Sequence, residues 1–92
     1  TRRNELLIAA FAMFPYLRPA LERQRAGIEE ELTGREVDVL ARFSEGLRPD
    51  RIAHRMGISK RTVDMHSVNA RRKLKARTLA EATAKAVRFD LI

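Results

Sequence analysis

Apolar residues recur at steps of three and four along most of the chain, and strict alternation never lasts, so the pattern predicts helices and no strands. From Asn4 to Leu21, the residues Leu6, Ala10, Met13, Leu17 and Leu21 form one stripe, which Leu7, Phe11 and Phe14 widen. Pro15 and Pro19 interrupt it, because proline removes an amide donor and clashes with the preceding turn. The expected form is a helix to about Phe14, followed by a kink or a second short turn. Such a wide stripe needs a partner surface. It packs on its own domain, or it belongs to an upstream domain or a dimer contact. Arg25–Glu31 is polar, contains Gly27 and ends in three glutamates. It reads as a linker or a frayed helix end, and a boundary placed here divides the chain into residues 1–31, the end of an upstream domain or a linker helix, and residues 32–92.

The second part opens on a start signal. Thr33 and Glu36 have capping-box spacing, and Val37, Leu40, Phe43 and Leu47 follow at helical intervals. Gly46 is placed to end that helix. Asp50 can cap a short second helix whose inward residues are Ile52, Ala53 and Met56. Gly57 permits a left-handed turn, and Ser59 caps a long helix reaching about Ala76. Thr78 caps a last helix to about Phe89. The segment Asp50–Lys75 therefore has a helix-turn-helix plan: short helix, tight glycine turn, long helix.

Charge gives that plan a direction. The 92 residues carry a formal net charge of +7. Residues 1–31 balance five arginines against five glutamates, so the whole excess lies beyond them. Ser59–Arg77 alone holds Lys60, Arg61, Arg71, Arg72, Lys73, Lys75 and Arg77 against one acid, Asp64. Concentrated positive charge favours a polyanion. At about 100° per residue, Val63, Ser67, Ala70 and Leu74 share one side of the long helix, with His66 at its edge. Arg61, Met65, Val68 and Arg72 lie opposite, flanked by Asp64, Asn69, Arg71 and Lys75. One buried side and one basic side suit a helix, about Lys60–Lys75, inserted in the DNA major groove. Lys60, Asn69, Arg71, Arg72, Lys73 and Lys75 are candidate phosphate contacts. Arg61, Asp64, Met65 and Val68 are candidate base contacts. Met65 and Val68 suit thymine methyl groups, and Asp64 suits the cytosine amine. Asp64 has a second reading, an intramolecular pair with Lys60 or Arg61.

Other classes lose support. With no cysteine and two histidines, the chain offers no thiol nucleophile, no zinc finger and no metal-ligand cluster. His54 reads as a surface or phosphate-adjacent residue and His66 as a packed one. Neither enzymatic activity nor a cofactor is expected. The longest apolar run, Leu6–Phe14, falls far short of a membrane span of roughly 20 residues. A chain starting at Thr1 reads as a piece of a longer protein. A sigma-factor domain and a protein-binding basic helix remain as alternatives.

The pieces LTGREVDVL (Leu32–Leu40), EGL (Glu45–Leu47), RIAHRMGIS (Arg51–Ser59), Thr62, Val63, His66, Asn69, Lys73, Leu74 and AEA (Ala80–Ala82) occur in one order and spacing. In these, Leu32–Ile92 resembles the DNA-binding domain shared by LuxR-type and NarL/FixJ-type bacterial regulators. The resemblance implies an all-α, four-helix helix-turn-helix domain, here with an extra N-terminal helical segment. It implies a third helix in the major groove and base contacts at Asp64, Met65 and Val68. Several members carry basic residues at the positions of Asp64 and Val68, so no member's target sequence carries over. The family's usual glycine near the end is Asp90 here, and a different C-terminal turn is expected. Dimers on inverted-repeat DNA are implied, often through the fourth helix. There Leu79, Ala82, Ala86 and Phe89 form a core stripe, and Ala80, Ala84, Val87 and Leu91 a second, interface stripe. The run NARRKL (Asn69–Leu74) and the apolar upstream segment look more like the acyl-homoserine-lactone-sensing, quorum-sensing branch. Phosphorelay response regulators are the alternative. On either reading the expectation is a cytoplasmic activator with RNA polymerase as a further partner. Any small-molecule signal would act only through an upstream sensor domain, with residues 1–31 as its end or a linker helix.

Overall fold

Most helix starts are dictated locally, and the computed structural model follows them. It describes residues 2–92, with the Phe11 side chain outside the described residues, so the expected place of Phe11 in the first stripe lies beyond description. Six helices and no strands occur among these residues: α1 (Arg2–Met13), α2 (Leu17–Arg25), α3 (Gly34–Ser44), α4 (Pro49–Met56), α5 (Lys60–Lys73) and α6 (Leu79–Arg88).

Pro15 divides the N-terminal segment into two helices, as its chemistry requires. The large described members of the stripe on this segment, Leu6, Leu7, Met13 and Phe14, stay exposed. Leu6, Ile8, Met13 and Tyr16 are all more than three-fifths exposed, and α1 packs against α2. The resulting molecule is elongated, with principal extents of 53 × 21 × 18 Å.

α3 to α6 enclose two adjoining apolar clusters. One gathers Leu40, Ala70, Leu74, Ala82, Ala86 and Phe89, and the other Val39, Ile52, Ala53 and Val63. Val39, absent from the expected stripe, is fully buried while Val37 is only half-buried. Ile28 also enters the first cluster, although the sequence places it in the linker. It does so because α2 ends in a Schellman turn at Gly27, φ +73°, with the Ile28 amide donating to the Arg23 carbonyl at 3.2 Å.

Two boundary expectations need correction. The N-cap of α4 is Arg48, with Pro49 in the first turn, so Asp50 sits inside the helix and makes no cap. α5 stops at Lys73 because Lys75 turns left-handed at φ +53°. Asp90 does the same at φ +58°, and the Leu91 amide donates to the Ala86 carbonyl at 2.8 Å. The C-terminal turn is thus a Schellman turn built without glycine.

The capping box forms in full. The Glu36 amide donates to the Thr33 hydroxyl, and the Thr33 amide to Glu36 Oε2, both at 3.2 Å. The same carboxylate takes Lys73 Nζ at 2.7 and 3.0 Å. Glu36 is 2% exposed. Removing one member of a buried pair strands the other charge. Lys73→Met is therefore expected to lower unfolding free energy by about 3 kcal/mol, measured by urea denaturation. Lys73→Met combined with Glu36→Leu should recover much of that loss.

Candidate nucleic-acid interface

α4, the turn at Gly57 and α5 form the helix-turn-helix. Ile52 and Ala53 hold α4 against Val39 and Val63. Gly57 takes φ +66°, a conformation open to glycine without strain, and the Ile58 amide closes the turn on the Ala53 carbonyl at 3.1 Å. Ser59 then caps α5, its hydroxyl accepting from the Thr62 amide at 3.1 Å.

α5 presents the faces that its spacing predicts. Val63, Ala70 and Leu74 are fully buried, and Ser67 is half-buried with its hydroxyl donating to the Val63 carbonyl at 2.9 Å. His66 is half-buried at the edge. On the opposite side Lys60, Arg61, Asp64, Met65, Val68 and Arg72 are exposed. Met65 and Val68 are 51% and 52% exposed. Asp64 has no hydrogen bond or ion pair among the described residues, so its expected pairing with Lys60 or Arg61 does not form. Asn69 is half-buried and Lys75 exposed.

The basic residues of the C-terminal half are largely engaged inside the molecule. Lys73 is paired with Glu36, its side chain only 15% exposed. The expected phosphate contact at Lys73 is corrected accordingly: the ammonium neutralises a buried carboxylate. Arg71 Nη1 donates to the Arg77 carbonyl at 3.2 Å, and Arg72 Nη1 to Glu30 Oε2 at 3.0 Å. From α6, Lys85 Nζ donates to the Leu74 and Lys75 carbonyls at 3.2 and 3.0 Å. A cation there satisfies carbonyls left open at a helix C-terminus. Lys85 was not a candidate from sequence: its spacing marks a pair with Glu81, but the two carbonyls it caps lie ten and eleven residues back. Arg51 and Arg55 were not candidates either; they are exposed on α4, the position at which the first helix of such a unit crosses the DNA backbone.

On α6, Ala80, Ala84 and Val87 are exposed, as their stripe predicts. Leu91 is not part of that surface. The turn at Asp90 folds it back against the first core cluster. Ala80, Ala84 and Val87 instead line an apolar groove with Phe43 and Leu79.

Residues 30–86 match the family described as bacterial regulatory proteins, luxR family. The chain belongs to the luxR family. A curated relative is the nitrate/nitrite response regulator protein NarP of Escherichia coli (strain K12). It is 43% identical over 72 residues, which cover 74% of this chain and 32% of that protein. The helix-turn-helix just described is therefore the DNA-binding unit of a bacterial transcription regulator of the LuxR/NarL type. It is not an enzyme, since the family regulates transcription. The relative is a response regulator, which favours that branch over the quorum-sensing one expected from Asn69–Leu74. No described helix is long and apolar enough to cross a membrane.

Glu81 ties the start of α6 to the end of α5. Its carboxylate accepts from the Arg77 amide at 2.9 Å and pairs with Lys85 at 3.3 Å. The amide first, and then Lys85, hold the Glu81 carboxyl below its ordinary value of 4.5. A lowered carboxyl pKa contributes stability that is complete above that ordinary value and lost as pH falls through the lowered one. Glu81→Gln is expected to make the acid limb of a melting-temperature profile shallower below pH 4.5, with little change in shape above pH 6 or so.

Proposed function

We propose that this chain is the DNA-binding end of a two-component response regulator of the NarL/FixJ type, reading an inverted-repeat operator as a dimer. The observation that carries the DNA-reading part is the outer face of α5. It keeps Lys60, Arg61, Asp64 and Met65 in its N-terminal half, and Val68 just beyond, exposed and without internal partners among the described residues. The branch rests on the relative named as a response regulator. Residues 1–31 then form the end of an upstream domain with its linker, and residues 32–92 the DNA-binding domain of a cytoplasmic activator working beside RNA polymerase.

The division of labour follows from chemistry. Arg61, Asp64, Met65 and Val68 read base edges, because the N-terminal half of a recognition helix enters deepest. Lys60, Asn69, Arg71, Arg72 and Lys75 contact phosphates, which sets orientation without reading sequence. Arg71 and Arg72 must exchange an internal partner to do so. Dimerisation uses the exposed small residues Ala80, Ala84 and Val87, which permit the close approach of a two-fold interface.

Selection from randomised duplexes at two salt concentrations, with sequencing of the bound fraction, tests this reading. An enriched inverted repeat supports it, and salt-sensitive binding without enrichment sinks it. On the enriched duplex, Lys60→Ala should weaken binding to all sequences and reduce the salt slope by about 1. Asp64→Ala should instead relax preference at one base pair by roughly 1–3 kcal/mol. Equal weakening of every sequence by Asp64→Ala would remove its base-reading role.

The dimer has its own test. Ala84→Glu is expected to abolish joint occupancy of the two half-sites in a gel-shift assay while the melting temperature holds. Unchanged joint occupancy counts against the α6 surface.

A further inference from the structure

Glu30 lies in the acidic run Glu29–Glu31 that precedes α3. It is not loosely tethered. Ile28 on one side is buried in the core, and on the other Leu32 is half-buried and Thr33 caps α3. The short stretch between these anchors lies along the basic end of α5. Gly27, Glu29 and Glu30 line one hollow together with Arg72, Lys73 and Lys75. The approach is close: a Cβ on Gly27 would stand 3.2 Å from Lys75 Nζ. Within this arrangement Glu30 Oε2 meets Arg72 Nη1 at 3.0 Å.

Arg72 belongs to the same outward face of α5 as Arg61, Met65 and Val68. A guanidinium binds carboxylate and phosphate through the same donors. A carboxylate seated there neutralises the arginine and repels an approaching phosphate. We propose that Glu30 competes with DNA phosphate for Arg72, which makes Glu30 an affinity-setting residue of the DNA site. The proposal rests on the reading that Arg72 is a phosphate contact. The side chains are 60% and 56% exposed, so the pair is solvent-screened and its effect is bounded. The gain on neutralising Glu30 is about two- to fivefold in affinity at low salt.

The test is a fluorescence-anisotropy titration of the 92-residue chain against a labelled, mixed-sequence DNA duplex at low and high salt. The variants are Glu30→Gln, Arg72→Ala, the double variant, and Glu31→Gln as a control for net charge, since Glu31 is exposed and makes no ion pair among the described residues. Glu30→Gln is expected to bind more tightly than Glu31→Gln, with a gain that shrinks at high salt. In the Arg72→Ala background the excess over the Glu31→Gln control should vanish. A Glu30→Gln effect equal to that of Glu31→Gln, a weakened Glu30→Gln, or an excess that survives loss of Arg72 overturns the competition. If Arg72→Ala alone leaves affinity unchanged, the phosphate role of Arg72 fails and the competition fails with it. If Arg72→Ala weakens binding but Glu30→Gln is inert, only the competition falls.

Discussion

The Glu36 carboxylate accepts the Thr33 amide and the Lys73 ammonium at once, and it does so almost out of water. Those two partners belong to the beginning of α3 and the end of α5, thirty-seven residues apart from Glu36 to Lys73. A buried ion pair adds little net stability over an apolar contact, but breaking half of it is costly. Its effect here is geometric: α5 cannot slide or rotate against α3 without stranding a charge. Lys85, reaching from α6 to the Leu74 and Lys75 carbonyls, fixes the same end from a third direction. α5 is thereby clamped at its C-terminus while the outer face of its N-terminal half stays exposed. A helix that enters a groove needs that distribution, because base contacts require its side chains to arrive already oriented.

A second constraint governs how the helices meet. α2 to α6 all end in the same left-handed turn, at Gly27, Gly46, Gly57, Lys75 and Asp90. In each, the following residue donates back to a carbonyl in the last helical turn: Ile28, Leu47, Ile58, Ala76 and Leu91. All five are apolar and all five are packed against or within the two core clusters. The turn thus does two things with one hydrogen-bond pattern: it closes open carbonyls and folds an apolar residue back onto the core. This makes short helices sufficient for a small domain, since every reversal contributes to the core.

The same turns explain what could be read from sequence. Where glycine occupies the left-handed position, at Gly46 and Gly57, the helix end is legible beforehand. Where Lys75 and Asp90 occupy it, nothing local distinguishes them from helical residues. α5 was accordingly expected to run on to Ala76, and Leu91 was expected on an exposed stripe it does not join. Caps with a side-chain oxygen at the right spacing, Thr33, Ser59 and Thr78, were readable because their chemistry is confined to three residues. Asp50 had the right chemistry two positions past the N-cap, behind Pro49. The inward and outward faces of α5 followed from periodicity alone. The engagement of Lys73 did not, because a basic residue on a basic helix carries no mark of a partner on α3. Long-range pairs of this kind, Lys73 with Glu36 and Arg72 with Glu30, are properties of the tertiary arrangement.

Those pairs also divide the work along α5. A helix with this much positive charge must pack into a domain and still meet a polyanion. Its C-terminal half meets the first demand: Lys73 is drawn inward, and Arg71 and Arg72 have partners within the molecule. Its N-terminal half carries only two cations, Lys60 and Arg61, beside Asp64, unpaired among the described residues, and the exposed Met65, with the exposed Val68 just beyond; on the proposed reading this part meets the second. Phosphate attraction is indifferent to sequence, so crowding more cations there would strengthen binding without sharpening it. Met65 and Val68 act differently, because their apolar surface leaves water only where a methyl group or sugar covers it. Asp64 adds a penalty near any phosphate that only a suitable donor on a base can offset. On the proposed reading, discrimination on this helix comes from the side chains that non-specific DNA would least favour.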